Sequence, residues 1–339
     1  MADRAPARLT DLLSGTRRLA LVGLAKNTGK TETLTSILAE HAAAGRAVGV
    51  TSIGRDGEAR DVIDARIEKP RVRLRAGSLV ATSGGLLRAS SVAHEQLERT
   101  GIRTPLGEVV IARLSEAGIV EVAGPSAGVD LRTVSDAMAA LGAEQVLIDG
   151  SIDRRAAASP AVADGLVMAT GAVLDEDIEQ VIAATADAVE VVRLPQADAG
   201  QEPVALDRGL VLSGEPREIA RLLEDQPQAS SFLIDGALSE RFLEGLLSAR
   251  AQRAGRELRI VVGDPTKVFL SRRGPGWYRR QGLFIEVLTT IDLKAITVNP
   301  VAPQSHRFDS AELREAIEAA VSGVPVLDVL DPSYLALAK

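Results

Sequence analysis

Residues 23–32, GLAKNTGKTE, carry the residue types and the spacing needed to grip a polyphosphate. Gly23 is followed by five residues and then by Gly29-Lys30-Thr31. That is one residue longer than the common GxxxxGK[ST] form. Gly29 lets the backbone come close to an anion. The N–H groups of Lys26, Asn27 and Thr28, with those of a helix beginning near Lys30, Thr31 and Glu32, would converge on phosphate oxygens. Lys30 supplies a point charge for the β- and γ-phosphates, and the Thr31 hydroxyl takes a Mg²⁺ position. A strand–turn–helix junction that happens to carry Gly-Lys-Thr is the plainer alternative. The order strand, loop, helix favours the phosphate reading, with a nucleoside triphosphate and Mg²⁺ as the expected ligands.

Such chemistry needs a carboxylate as well. In Gln145-Val146-Leu147-Ile148-Asp149-Gly150 an apolar run leads into an acid, about 120 residues beyond the loop. A strand-end Asp there suits a hard cation that keeps most of its waters, so Asp149 is expected to hold Mg²⁺ and to act in catalysis with Lys30. Many buried strands also end in Asp-Gly turns. Asp56 and Glu58, in Gly54-Arg55-Asp56-Gly57-Glu58, are candidates to orient a water or hold the metal, and Arg55 to meet a phosphate. The same stretch reads equally as a solvated turn. Asp153, Arg154 and Arg155 follow the Asp149 strand and could reach phosphates or a partner.

These residues require strands that end together. Leu19–Val22 reads as a buried strand, and Leu34, Ile37 and Leu38 mark the inner face of the helix after the loop. Further strands are expected at 46–53, 108–113, 118–123, 145–148, 165–170, 209–213, 232–236, 258–263 and 294–298. Residues 71–76 alternate Arg with apolar residues, the period of a half-exposed strand blunted by charge. Helices are expected over 130–141, with Asp130 as cap, over 175–186 and over 310–321. Alternating β and α elements with apolar strands predict an α/β fold with a doubly wound, mostly parallel sheet. Residues 194–208, polar with two prolines, suggest a boundary. It would separate a phosphate-binding domain, 1–197, from a C-terminal α/β lobe, 198–339, that completes the same sheet or contacts a partner. Phe269 to Gln281, FLSRRGPGWYRRQ, reads either as a basic aromatic loop that stacks on a base or clamps an acidic partner, or as an exposed hairpin.

Composition narrows the field. The chain has 339 residues, 46% of them hydrophobic but only 2% aromatic, so Ala, Val, Leu and Ile must pack the core. A net charge of −7 argues against nucleic acid or a membrane surface as partner. The absence of cysteine excludes disulfides, iron–sulfur clusters and thiolate zinc sites, and His41, His94 and His306 are scattered. The first residues lack the apolar core of a secretory signal. No run approaches the roughly 20 apolar residues of a membrane span. A cytoplasmic location is expected.

GLAKNTGKT, with five residues between its outer glycines, resembles the loop of the dethiobiotin synthetase and cobyrinic acid amide synthase group of P-loop proteins. Those share a broad superfamily with the MinD and nitrogenase-iron-protein ATPases. Their early signature lysine has no counterpart here, because Lys26 lies one position too close to Lys30. In dethiobiotin synthetase an Asn after a late strand reads adenine, and Asn299 in AITVNP sits in a similar context, which implies ATP. The guanine-reading [NT]KxD pattern has only Thr266-Lys267-Val268-Phe269, without the discriminating Asp. Over most of its length the chain looks like the small P-loop protein encoded alongside lysine 5,6-aminomutase or ornithine aminomutase. GLAKNTGKT, TSIGRDGE, AGPS, VLIDGSIDRR, ADGLVMATGA and VNPVAPQSHRFDS carry that resemblance. It implies a reactivase subunit that uses ATP to help an adenosylcobalamin-dependent aminomutase exchange damaged cofactor, together with a second, MutS-like ATPase subunit.

Two classes of function therefore stand side by side. One is a nucleotide-driven accessory protein whose ATP hydrolysis moves a partner. The other is an ATP-dependent synthetase that phosphorylates a carboxylate, for which Arg154, Arg155 and Lys267 offer cationic groups. The missing cysteines and scattered histidines weigh against a GTPase metallochaperone. A homodimer stays open.

Overall fold

Apolar runs of four to six residues, set between glycine turns and polar caps, become the strands that position the site. The computed structural model describes residues 8–54, 71–151, 157–200, 202–250, 257–303 and 305–337. The chain opens with α1 (Leu9–Leu12), β1 (Arg18–Gly23), α2 (Lys30–Ala43) and β2 (Val48–Ser52). It continues through β3 (Arg71–Leu74), β4 (Leu79–Ser83), α3 (Gly84–Ala89), β5 (His94–Thr104), β6 (Gly107–Leu114) and β7 (Gly118–Glu121). Then come α4 (Gly128–Ala140), β8 (Gln145–Ser151), β9 (Gly165–Gly171) and α5 (Ile178–Val192). The next stretch holds β10 (Val204–Ala205), α6 (Arg208–Ser213), α7 (Pro216–Asp225), β11 (Ser231–Ile234), β12 (Leu238–Ser239) and α8 (Glu240–Arg250). After it lie β13 (Leu258–Val262), β14 (Val268–Phe269), α9 (Pro275–Arg280) and β15 (Leu283–Val287). The last elements are β16 (Asp292–Asn299), α10 (Ser310–Val321), β17 (Val326–Leu327) and α11 (Pro332–Leu337).

The fold is α/β with a large, mostly parallel central sheet. Among the described residues it has nine strands in the order β17-β16-β9-β1-β8-β2-β4-β6-β5. All neighbours from β17 to β4 are parallel, and β6 and β5 add an antiparallel edge. Alternate residues of β8 face opposite ways, as a strand requires. Leu147 joins a core with Leu34 and Ile37 of α2, whereas Val146 and Ile148 join one with Leu131, Val134 and Met138 of α4. Helices thus cover both faces, an arrangement compatible with a doubly wound fold. From β1 the chain crosses to β2 on one side, and from β8 it crosses back over β1 to β9. Such a reversal opens a crevice at the carboxyl ends of the strands, where ligands bind in open α/β sheets.

The chain divides into two units, 1–182 with 292–339, and 183–291. The divisions fall at 182/183 and 291/292 rather than at 197/198, and residues 194–208 lie inside the second unit. There Gln196 bridges to Val287 and β10 begins a parallel sheet, β10-β11-β13-β15, over a core that includes Phe232, Phe242 and Ile260. Residues 292–327 return to supply β16 and β17 to the nine-stranded sheet.

Several elements differ from expectation. Residues 209–213 are helical, within α6, because Asp207 caps the N–H groups of Gly209 and Leu210 and Gly214 ends the helix at φ 57°. The apolar Leu-Val-Leu run suits either structure, and the caps decide. Ala127, not Asp130, occupies the position before α4, and Asp130 lies in the first turn. The stretch from Phe269 to Gln281 is neither an open loop nor a hairpin. Trp277 and Tyr278 lie on α9, and Tyr278 is buried, with its hydroxyl donating to Glu240 Oε1 at 3.1 Å. Arg273 stacks 3.8 Å over Trp277. Tyr278 is therefore committed to the core of its unit. Among the described residues no helix is long and apolar enough to cross a membrane.

Candidate functional site

The loop from Gly23 to Gly29 leads from the end of β1 into α2. Leu24 N–H donates to Ala169 O on β9 at 2.9 Å, which continues the strand pairing into the loop. Thr28 is buried and its hydroxyl donates back to Ala25 O at 3.1 Å, drawing the loop into a tight arch. No side chain fits under that arch at Gly23: an added Cβ would lie 2.5 Å from Thr28 Oγ1. Asn27 and Gly29 take left-handed conformations, with φ 68° and 84°. Gly29 is the cap residue of α2, and among the described residues no side chain caps that 14-residue helix. Its first N–H groups therefore face the loop without a side-chain acceptor, as an anion site at a helix start requires. Lys26, Asn27, Thr31 and Glu32 are exposed around the arch.

Lys30 reaches across to the neighbouring strand. Its Nζ donates to Asp149 Oδ1, 119 residues away in the chain. Asp149 lies opposite Leu21 of β1 and Ser52 of β2, two residues before the end of β8. Its side chain is only 7% exposed, and that of Lys30 is 22% exposed. A carboxylate so far removed from water needs a cation, and Lys30 provides it. The two residues expected to act together thus meet at one place. Beside them, Ile53 N–H donates to Asp149 O at 3.0 Å and Gly54 N–H to Pro125 O at 2.7 Å. Thr31 follows Lys30 in the first turn of α2, and among the described residues no hydrogen bond joins it to Asp149.

Asn299 also reaches the loop. Its Nδ2 donates to Asn27 O at 3.1 Å, and its Oδ1 accepts from Val301 N–H at 3.1 Å. Thr33 and Thr297, which sequence reasoning missed, join hydroxyls at 2.7 Å, and Thr33 also donates to Gly29 O at 3.1 Å. The signal was a threonine within an apolar strand run, Ala295-Ile296-Thr297-Val298, two residues before Asn299. Asp56, with Arg55 and Glu58, and Asp153, Arg154 and Arg155 lie outside the described residues. Lys267 belongs to the second unit. Among the described residues no three His, Asp or Glu side chains gather as a metal cluster.

The donor set fits magnesium and phosphate. Hydroxyl and carboxylate are hard oxygen donors, and Lys30 with the uncapped helix start supplies positive charge at the same mouth. Compared with family models, curated proteins and solved structures, the chain matches none.

Proposed function

We propose that residues 23–31 bind the phosphates of a nucleoside triphosphate, that Thr31 and Asp149 hold its Mg²⁺, and that the first unit is a P-loop NTPase domain. The observation that carries this reading is the meeting of Lys30 with Asp149 beside an uncapped helix start. Phosphoryl transfer is catalysed by positioning and charge stabilisation, and it needs a cationic group and a metal-holding acid at one place. Lys30 would neutralise the β- and γ-phosphates, and Asp149 would hold the metal directly or through one of its waters. Magnesium, when bound, supplies further charge neutralisation there. We take the base to be adenine, as the resemblance to ATP-using reactivase subunits implies.

The hydrolysis would serve a partner. On the resemblance of the stretches named above, the chain is a cytoplasmic reactivase subunit. It acts with a second ATPase subunit on an adenosylcobalamin-dependent aminomutase. Calorimetric titration with Mg·ATP tests the nucleotide site: Lys30→Ala should weaken binding about ten- to hundredfold, and unchanged binding would end the reading. Incubating an inactivated aminomutase with this protein, its ATPase partner, Mg·ATP and adenosylcobalamin tests the role. Recovery should require hydrolysis. If the mutase stays inactive while this protein alone consumes a carboxylate in step with ATP, it is a synthetase.

A further inference from the structure

Asn299 ends β16, opposite Gly171 of β9. Its two partners fix the amide orientation, because a carbonyl oxygen can only accept and a backbone N–H can only donate. The NH₂ group is therefore turned to Asn27 O and the oxygen to the chain's own turn at Val301. That is the donor–acceptor edge a base would have to read.

The contact falls on the most constrained part of the loop. Asn27 is one of two non-glycine residues with positive φ among the described residues, the other being Ser322. A peptide is planar and trans, so the Asn27 carbonyl and the Thr28 N–H point in opposite directions. Holding the carbonyl on Asn299 aims the Thr28 N–H the other way. Gly29 is pressed against the same side chain, since a Cβ there would lie 3.0 Å from Asn299 Cβ. Two residues earlier on β16, Thr297 makes a second tie. The single proton of the Thr33 hydroxyl goes to Gly29 O, so Thr297 donates to Thr33. β16 thus holds the loop at Asn27 and the first turn of α2 at Thr33.

We propose that Asn299 is a positioning residue of the phosphate loop, setting affinity for the phosphate chain of any nucleotide and not the choice of base. The inference rests on the phosphate-site reading above. Calorimetry of Asn299→Ala with Mg·ATP, Mg·GTP and inorganic tripolyphosphate tests it. All three affinities should fall by a common factor of about two- to tenfold, with or without the small drop in the ligand-free unfolding midpoint that loss of the two hydrogen bonds brings. A loss confined to ATP overturns the proposal and makes Asn299 a base reader. A lowered midpoint with wild-type affinities also overturns it. If Asn299→Ala does not fold, Asn299→Leu, which keeps the bulk but has no donor for Asn27 O, should lower all three affinities alike, and wild-type affinities in that variant overturn the proposal. Where Lys30→Ala weakens binding but neither β16 variant does, the phosphate site stands and the positioning role falls. Wild-type protein that binds none of the three probes ends both.

Discussion

The hydroxyl of Tyr334 donates to Glu40 Oε1 and accepts from the backbone N–H of Leu9 at 3.0 Å. The other oxygen of Glu40 accepts from Thr10 N–H at 2.9 Å and from Thr10 Oγ1 at 2.8 Å. A buried carboxylate on α2 thereby ties the helix that follows the Gly23–Gly29 loop to both α1 and α11. Burial, then the hydrogen bond to Glu40, raises the Tyr334 hydroxyl above its ordinary value, so it stays a donor.

Tyr334→Phe should destabilise the first unit by roughly 1.5–3 kcal/mol, the usual size for a hydrogen bond to a charged group. The variant also leaves the Leu9 N–H without its acceptor. Urea unfolding reads the difference, and an unmoved midpoint would show that the cluster contributes nothing.

The Lys30–Asp149 pair can be separated from nucleotide binding by a double-mutant cycle without ligand. Lys30→Ala leaves a buried carboxylate unpaired and should cost up to roughly 3 kcal/mol, the low end for buried pairs because Lys30 keeps 22% exposure. Adding Asp149→Asn should recover much of that loss. If the two single costs simply add, the pair carries no coupling. With Mg·ATP present, Asp149→Asn alone should keep binding and lose most phosphate release.

His41 makes stability fall in weak acid. Gln145 Nε2 donates to Thr16 O at 2.7 Å, which leaves its oxygen to accept from His41 Nε2 at 2.8 Å. Nδ1 is buried with no hydrogen-bond partner among the described residues, so a proton there would go unpaired and the neutral ring is favoured. Burial lowers its pKa below 6.5, Arg46 adds to this, and Gln145, Glu40 and Glu144 oppose it. A depressed folded pKa means that the stability is whole above about 6.5 and is lost as pH falls toward the folded value, by about 1.4 kcal/mol per unit of depression. Unfolding free energies of wild type and His41→Gln, compared between neutral pH and weak acid, should diverge over that window. Parallel curves would remove His41 from the account.

In the second unit, Glu190 Oε2 accepts from Gly276 N–H at 2.7 Å, a cap on α9 supplied from α5. A Cβ at Gly276 would sit 2.8 Å from Glu190 Oε1. Gly276→Ala should push the carboxylate away and cost about 1 kcal/mol, the worth of a helix cap. Glu190→Gln, which keeps an acceptor, should cost less. A larger loss in Glu190→Gln would point to the Arg279 ion pair instead.

The central strands were legible because burial on both faces leaves an unbroken apolar run, as in Leu19–Val22 and Val146–Ile148. β5 was not, since it lies at the sheet edge and most of its side chains stay exposed, leaving no alternation to read. β15 interrupts its apolar run with Glu286, which is buried against Arg259. At the site, Lys30 and Asp149 were legible from residue type and spacing. The contact of Asn299 with the Asn27 carbonyl was not, because an amide suits a base and a backbone carbonyl equally well, and the sequence does not show where the end of β16 lies beside the loop. Asp56 stands where a turn and a site have the same composition.

The ties from β16 to α2 and to the loop span 264 and 272 residues. A ribosome therefore releases residues 23–33 long before it makes the threonine and asparagine that hold them. Until then the nascent chain carries β1, α2 and β8 without that edge of the sheet. The second unit is translated whole in the interval, between the two parts of the first. Any product that stops before Asp292 lacks β16, and with it both ties, however completely its earlier elements have folded.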